Sequence, residues 1–340
     1  MYRHLLVPID DTDLSIEVVG NAVGLARAVG ARITFFPAVA GSAGLPAGID
    51  PLRRMRQDDA APAGKAGELF AKAEAAARAF GVPCDSRHVA SDELAAAIVE
   101  AARISGADLV FMASQGKRRD EAGIAPASRT LSAVMNAGLP VMVSGVADPG
   151  PPAHAIGIIR DEHRSLAAVL HAGTNALAAA RGSGVAADPG LMRAIVRYIE
   201  VFALALHDLK EEDHLFKRLR ERTGAVNAEL DELERQHRRE RECVADLARR
   251  VDALAAASGE PALDATRDLD AALRSYARFL WEHLGREEGV ILPAAQRHLT
   301  DADWSEIETE FMKNRDPGGE GGGEASHLYS RIVNANRAWQ

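Results

Sequence analysis

Cysteine is scarce in this chain: Cys84 and Cys243 are the only two in 340 residues. Two thiols so far apart build neither a disulfide framework nor a four-thiolate zinc site, and they read as small buried apolar groups in a reducing compartment. Long apolar runs are missing too. No stretch approaches the roughly 18 uncharged apolar residues that span a bilayer. The opening MYRHLLVPIDD lacks the basic segment and long apolar run of an export signal, so a cytoplasmic protein with no membrane contact is expected. Nor is positive charge in excess. The formal net charge is −9, with 15 Lys+Arg against 17 Asp+Glu in residues 1–150 and 25 against 32 beyond. That balance excludes the electrostatic footprint of a nucleic-acid binder, and the clusters Lys117-Arg118-Arg119 and Arg238-Arg239-Arg241 read as solvated faces.

At 340 residues the chain is long for a single core, and two domains are expected. Residues 1–146 alternate short apolar runs (HLLVPI, ARITFFPAV, VPCDSRHV, ADLVFMAS, LPVMVSGV) with Ala-rich stretches of helical spacing near 14–29, 64–81, 92–105 and 128–137. Strand and helix in alternation imply an α/β domain with a doubly wound parallel sheet. Residues 40–62 form a Gly/Pro-rich loop. GVADPGPPAHA, with four consecutive positions of Pro or Gly, suits neither a strand nor a helix and places a linker at 147–155.

Beyond the linker, helical patterns run over about 155–181, 190–222, 225–257 and 262–299. They are separated by Gly182-Ser183-Gly184, Thr223-Gly224 and Ser258-Gly259-Glu260-Pro261, which stop and restart helices. Four long helices with short connections predict an all-α, up-down-up-down four-helix bundle over 156–299. The remainder, 300–340, reads as a further helix over about 301–314, the flexible tract DPGGEGGGE and a short terminal helix.

The second half writes nearly the same phrase twice, HDLKEEDHLFKRL from His207 and HLGREEGVILPAA from His283. In each a His precedes a Glu by four residues, about one helical turn, so His207 with Glu211 and His283 with Glu287 each project an imidazole and a carboxylate from one face. His163 and His237 lie in the middle of two other helical stretches. Four helices that each aim one His at a shared axis supply four imidazoles and two carboxylates, a donor set suited to iron, manganese or zinc.

This arrangement resembles the hemerythrin-like, His-His-Glu cation-binding domain. The resemblance implies that His163, His207, Glu211, His237, His283 and Glu287 ligate a non-heme centre of two irons per chain, with Glu211 and Glu287 as bridges. Oxygen-carrying hemerythrins place another His one turn from the position of His237, where this chain has Leu233 and Arg241, and end on His-x-x-x-x-Asp rather than His-x-x-x-Glu. One imidazole fewer implies a coordination position open or filled by water, and open positions favour sensing or redox chemistry over oxygen carriage. Tyr276, seven before His283, reads as core packing or as a phenol above the site. His214 reads as surface or bundle end, and Glu212 and Glu288 point off the ligand stripe.

LLVPIDDTDLS, ADLVFMASQG and LPVMVSGV resemble the universal stress protein family over residues 1 to about 146. The resemblance implies dimerisation through the last strand, near Leu139 to Val146. Members that bind ATP carry Gly-x-x-Gly, nine residues, then Gly-Ser or Gly-Thr, whose amides approach the phosphates. Here the pattern reads Ala113, Gly116 and Pro126-Ala127, with Ser128 one place late. Asp10 stands where the family's Asp contacts the nucleotide, so Asp10, Gly116 and Ser128 are the candidate nucleotide residues of a weakened ATP site. The two resemblances together imply a cytoplasmic, homodimeric stress-response protein whose di-iron bundle senses or binds oxygen, nitric oxide, peroxide or iron. The alternatives are a di-iron enzyme reducing peroxide or nitric oxide, and a nucleotide-regulated scaffold with a structural metal site.

Overall fold

The computed structural model describes residues 2–9, 13–37, 65–87, 94–114, 134–145, 150–315 and 322–337. Two compact units divide between Pro149 and Gly150. In the first, β1 (His4–Ile9), β2 (Arg32–Pro37), β3 (Cys84–Ser86), β4 (Leu109–Ser114) and β5 (Val141–Gly145) form one sheet. The sheet is parallel throughout, in the order β3-β2-β1-β4-β5, with His4 opposite Arg32 and Val110 opposite Val141.

The alternation of side chains along β1 divides the core into two layers. Leu5, Val7 and Ile9 pack with Val18, Ala22 and Val23 of α1 (Asp13–Val29) and Phe70 and Ala73 of α2 (Lys65–Ala79). Leu6 turns the other way, toward Ala97, Ile98 and Ala101 of α3 (Leu94–Ser105). Helices on both faces make the sheet doubly wound, as the alternation of the sequence predicts. Gly30 and Gly106, at φ 69° and 68°, end α1 and α3 in the left-handed conformation open to a residue without Cβ. Burial and then Glu74 push the half-buried Cys84 thiol up to about 11, which leaves it inert. The expected loop at 40–62 and most of the helix expected at 128–137 fall outside the described residues.

The second unit is helical. α4 (Gly150–Ser183) is followed by a continuous helix α5 over 189–222, then α6 (Asn227–Ala256) and a continuous helix α7 over 260–298. α4 packs on α5, α5 on α6, α6 on α7 and α7 back on α4, which closes a four-membered ring. α8 (Asp301–Met312), a 3₁₀ turn (Lys313–Arg315) and α9 (Gly322–Arg337) follow, α8 and α9 both packing on α4.

Two sequence expectations need correcting. The Pro/Gly tract read as a linker to residue 155 already belongs to α4 from Gly150, because Pro in a first helical turn lacks only an N–H that has no intrahelical partner there. The helices that carry the repeated phrase are not uniform α-helix either. Ile199–His207 and Glu211–Phe216 in α5, and Glu287–Ile291 in α7, are wide π turns, a widening that frequently marks functional sites. Among the described residues no helix is long and apolar enough to cross a membrane.

Candidate metal centre

Each bundle helix delivers its polar residues to the axis from within an apolar stripe. His163 on α4, His207 and Glu211 on α5, His237 on α6, and His283 and Glu287 on α7 are all buried, none more than 2% exposed. Leu215, Phe216, Leu230 and Leu233 belong to the apolar cluster beside them. The Phe216 ring stacks on His237 at 5.8 Å and Phe279 on His283 at 6.4 Å. Leu233, one of the two positions where another imidazole would be expected in an oxygen carrier, is part of this apolar wall.

The six side chains converge as two groups of four, His163–His207–Glu211–Glu287 and Glu211–His237–His283–Glu287, with the donor atoms of each group within 4.8 Å of one another. Glu211 and Glu287 belong to both. His163 Nε2 stands 3.4 Å from Glu287 Oε2 and 3.9 Å from Glu211 Oε1, and His207 Nε2 is 3.7 Å from Glu211 Oε1. On the other side His237 Nε2 lies 3.7 Å from Glu211 Oε2 and 3.9 Å from Glu287 Oε1, and His283 Nε2 is 2.9 Å from Glu287 Oε1.

The outer nitrogens of the four rings are all committed. His207 Nδ1 meets Glu162 Oε2 at 2.7 Å, His163 Nδ1 meets Glu288 Oε1 at 2.9 Å, His237 Nδ1 meets Glu212 Oε1 at 2.7 Å, and His283 Nδ1 meets Gln236 Oε1 at 3.0 Å. Every one of these partners is an acceptor, so each Nδ1 carries the proton and each Nε2 offers its lone pair inward. With both rings neutral, His237 Nε2 and His283 Nε2 face each other at 3.2 Å, lone pair against lone pair. His163 Nε2, His207 Nε2, both Glu211 oxygens and both Glu287 oxygens are buried without a hydrogen-bond partner. A single orphaned buried group costs about 1–3 kcal/mol, and a charged one more. A cation resolves both problems, since the inward groups of the neutral rings and the carboxylates are all donors of lone pairs. The residues therefore fit a metal, and imidazole with carboxylate fits iron, manganese or zinc.

Electrostatics point the same way. Burial lowers the proton affinity of His163, but Glu211 and Glu288 outweigh it and raise the pKa to about 10. His207, opposed by burial and raised by Glu211 and Glu162, reaches about 9, and His237, raised by Glu212 and Glu287, about 11. His283 is raised by Glu287 against burial. Burial and Glu287 raise the Glu211 carboxyl, while His283 and His237 hold Glu287 well below the usual range despite burial. The site demands positive charge.

Some contributors were not legible in the sequence. Glu162 directly precedes His163, and Gln236 directly precedes His237, yet each backs the imidazole of a different helix. Asp208 is buried beside the second group, where burial and then Glu240 push its carboxyl up to about 7. Tyr276 takes neither of its sequence-based readings alone: it is buried, and its hydroxyl donates to Glu240 Oε1 at 2.5 Å. Glu212 and Glu288, off the ligand stripe, are the acceptors for His237 and His163. His214 is partly exposed and lies 3.6 Å from Glu306 of α8. The candidate nucleotide residues Asp10, Gly116 and Ser128 lie outside the described residues.

With this geometry in place, residues 154–295 match the family model of the hemerythrin HHE cation binding domain and residues 1–144 that of the universal stress protein family. No curated protein matches the chain. Among solved structures, a protein of the universal stress protein family from Burkholderia pseudomallei is 21% identical, covering 42% of this chain and 96% of its own, with a TM-score of 0.30. A universal stress protein solved in complex with cAMP is 19% identical over 43% of this chain and 98% of its own, with a TM-score of 0.29. A universal stress protein from Archaeoglobus fulgidus is 17% identical over 42% and 93%, with a TM-score of 0.30.

Proposed function

We propose that this protein, a universal stress protein domain followed by a hemerythrin HHE cation-binding domain, is a cytoplasmic stress-response protein. Its bundle binds two iron ions per chain and senses or binds oxygen, nitric oxide, peroxide or iron. The observation that carries the reading is the pair of four-donor groups sharing Glu211 and Glu287, with His163 Nε2, His207 Nε2 and all four carboxylate oxygens buried without a hydrogen-bond partner. When bound, iron supplies a one-electron redox change and a coordination position for a small ligand. The chain's own part is to hold the six donors. Glu162, Glu288, Glu212 and Gln236 fix the ring orientations, and the Phe216 and Phe279 rings stack on His237 and His283.

The test is elemental analysis of full-length protein purified without oxygen. About two irons per chain are expected, because two shared carboxylates and four imidazoles suit two ions better than one, and oxygen exposure should then produce near-ultraviolet absorption. Stoichiometry near zero after iron reconstitution overturns the reading. Turnover with peroxide or nitric oxide would make the protein an enzyme rather than a sensor.

For the first domain, homodimerisation is part of the proposal: β5 is the outermost strand of the sheet, Met142 and Val143 on it are exposed, and an open edge invites pairing. Nucleotide binding is expected to be weak. Pro126 offers no amide hydrogen and Ala127 no hydroxyl to a phosphate, and two lost contacts at about 1–3 kcal/mol each weaken ATP by tenfold or far more. Calorimetric titration of the full-length protein with Mg-ATP should show nothing tighter than roughly the high micromolar range. Sub-micromolar binding abolished by Asp10→Ala would mean that Lys117 to Arg119 rebuild the phosphate site.

A further inference from the structure

The helices that follow the bundle reach into its centre. α8 packs on α4 and on the wide turn Glu211–Phe216, and its Trp304, Ile307 and Phe311 are buried in one cluster with Ile159, Leu215 and Leu219. Arg222 holds Asp303 through two hydrogen bonds of 2.9 Å, one to each carboxylate oxygen. In the 3₁₀ turn that ends this segment, Asn314 is 5% exposed. Its Nδ2 donates to Glu162 Oε1 at 3.0 Å, and the other oxygen of Glu162 accepts from His207 Nδ1 at 2.7 Å. The amide orientation is dictated by charge, since the opposite one would set a carbonyl oxygen against a carboxylate. The Phe311 ring meets the His207 ring edge-on, with centroids 6.1 Å apart.

His207 differs in this respect from the other three imidazoles. The acceptors of His163, His237 and His283 are Glu288, Glu212 and Gln236, and Gln236 is steadied by donating its Nε2 to Glu232 Oε1. All of those residues lie within the 154–295 match to the cation-binding family. Asn314 lies outside it. Both oxygens of Glu162 are engaged, one by the ring and one by a residue from a separate segment.

We propose that Asn314 is a positioning residue for the metal centre: by holding Glu162, and through it the His207 ring, it couples the docking of the C-terminal helices to cation occupancy of the His163–His207–Glu211–Glu287 group. The inference rests on the two-ion reading. Glu162 accepts the Nδ1 proton only while it stays in line with the ring, and that hydrogen bond sets both the tautomer and the aim of Nε2. Coupling of this kind is reciprocal. Whatever factor α8 and its 3₁₀ turn add to cation affinity, the cation returns to their docking, so the docking of this segment responds to occupancy.

The experiment uses the full-length protein and cobalt(II), whose visible absorption reports coordination, with elemental analysis for stoichiometry. Asn314→Leu keeps the bulk and removes the donor. Asn314→Asp keeps the shape and sets an anion against Glu162. Ile307→Val trims one methyl from the same helix without undocking it or touching the polar chain and controls for packing. Wild type should bind two cobalt ions. Both Asn314 variants should weaken one of the two by roughly tenfold to a hundredfold and alter its absorption bands, with the other ion unchanged, whereas Ile307→Val should lower the melting temperature and leave both affinities in place. In wild type, cobalt should slow amide exchange across residues 301–315. If wild type binds two ions with the same affinities as both Asn314 variants, or if exchange across 301–315 ignores the metal, the coupling is wrong. If Ile307→Val weakens the same ion equally, the effect is packing and Asn314 has no positioning role. If wild type binds no metal at all, the two-ion reading fails first and takes the coupling with it.

Discussion

Stripping the metal from the full-length protein is expected to lower the unfolding temperature of the second unit by roughly 10–15 °C and to leave the unfolding of the first nearly where it was. A cation held at a thousand times its dissociation constant stabilises the native state by about 4 kcal/mol, and each kcal/mol moves a unit of this size by about 2–4 °C. The metal-free centre has little to fall back on. Both oxygens of Glu211 and Glu287 are buried without hydrogen-bond partners, and His237 Nε2 faces His283 Nε2 at 3.2 Å.

Protons are the available substitute for the metal, and they impose a pH dependence. His163, His207 and His237 have pKa values raised to about 10, 9 and 11, above the unfolded value near 6.5. Their contribution to the metal-free fold is therefore complete below about pH 6.5 and is lost as pH rises through about 9 to 11. The metal-loaded fold does not depend on those protons. The gap between the two melting temperatures should widen from pH 6.5 to pH 9. Differential scanning calorimetry with and without chelator measures it, and equal shifts in both transitions, or a gap that narrows with pH, would contradict the account.

The second large effect is expected from Glu211, because it belongs to both donor groups whereas His163 belongs to one. Glu211→Ala should reduce iron from about two per chain to well below one. His163→Ala should leave about one, held by Glu211, His237, His283 and Glu287. The same logic inverts for stability without metal. Above the imidazole values of about 9 to 11, where no ring proton offsets it, a buried carboxylate with neither oxygen satisfied is a cost to the metal-free fold, so at that pH metal-free Glu211→Gln should melt above metal-free wild type while metal-loaded wild type melts above both. Iron quantification alongside thermal melts decides this. Equal iron content in the Glu211 and His163 variants would mean that the two groups do not share the carboxylate.

Local periodicity made the architecture readable. Short apolar runs alternating with Ala-rich helical stretches required a parallel sheet covered on both faces, and the sheet is of that kind, with Leu5, Val7 and Ile9 packed on one side and Leu6 on the other. The His-x-x-x-Glu pairs were readable for the same reason: four residues along a helix is a nearest-neighbour relation. The wide turns at Glu211–Phe216 and Glu287–Ile291 were not, since the pairs look the same on paper whether the turn is regular or wide. The start of α4 was misread because Pro151 and Pro152 break a helix in its interior but not in its first turn.

Length, the alternation of short apolar runs with Ala-rich stretches, the Pro/Gly tract and the repeated phrase determined by themselves that this is a two-part chain, an α/β sheet domain followed by a helical bundle with four imidazoles and two carboxylates to place. Tertiary structure alone decided what stands behind those groups. Glu162 neighbours His163 in sequence but serves His207 on the next helix, Gln236 neighbours His237 but serves His283, and Asn314 arrives from 152 residues away to hold Glu162. Inward-pointing donors follow from helical spacing, a property of one segment. Their orienting partners follow from which helix lies against which, and that is settled only when the apolar stripes of α4 to α8 pack together.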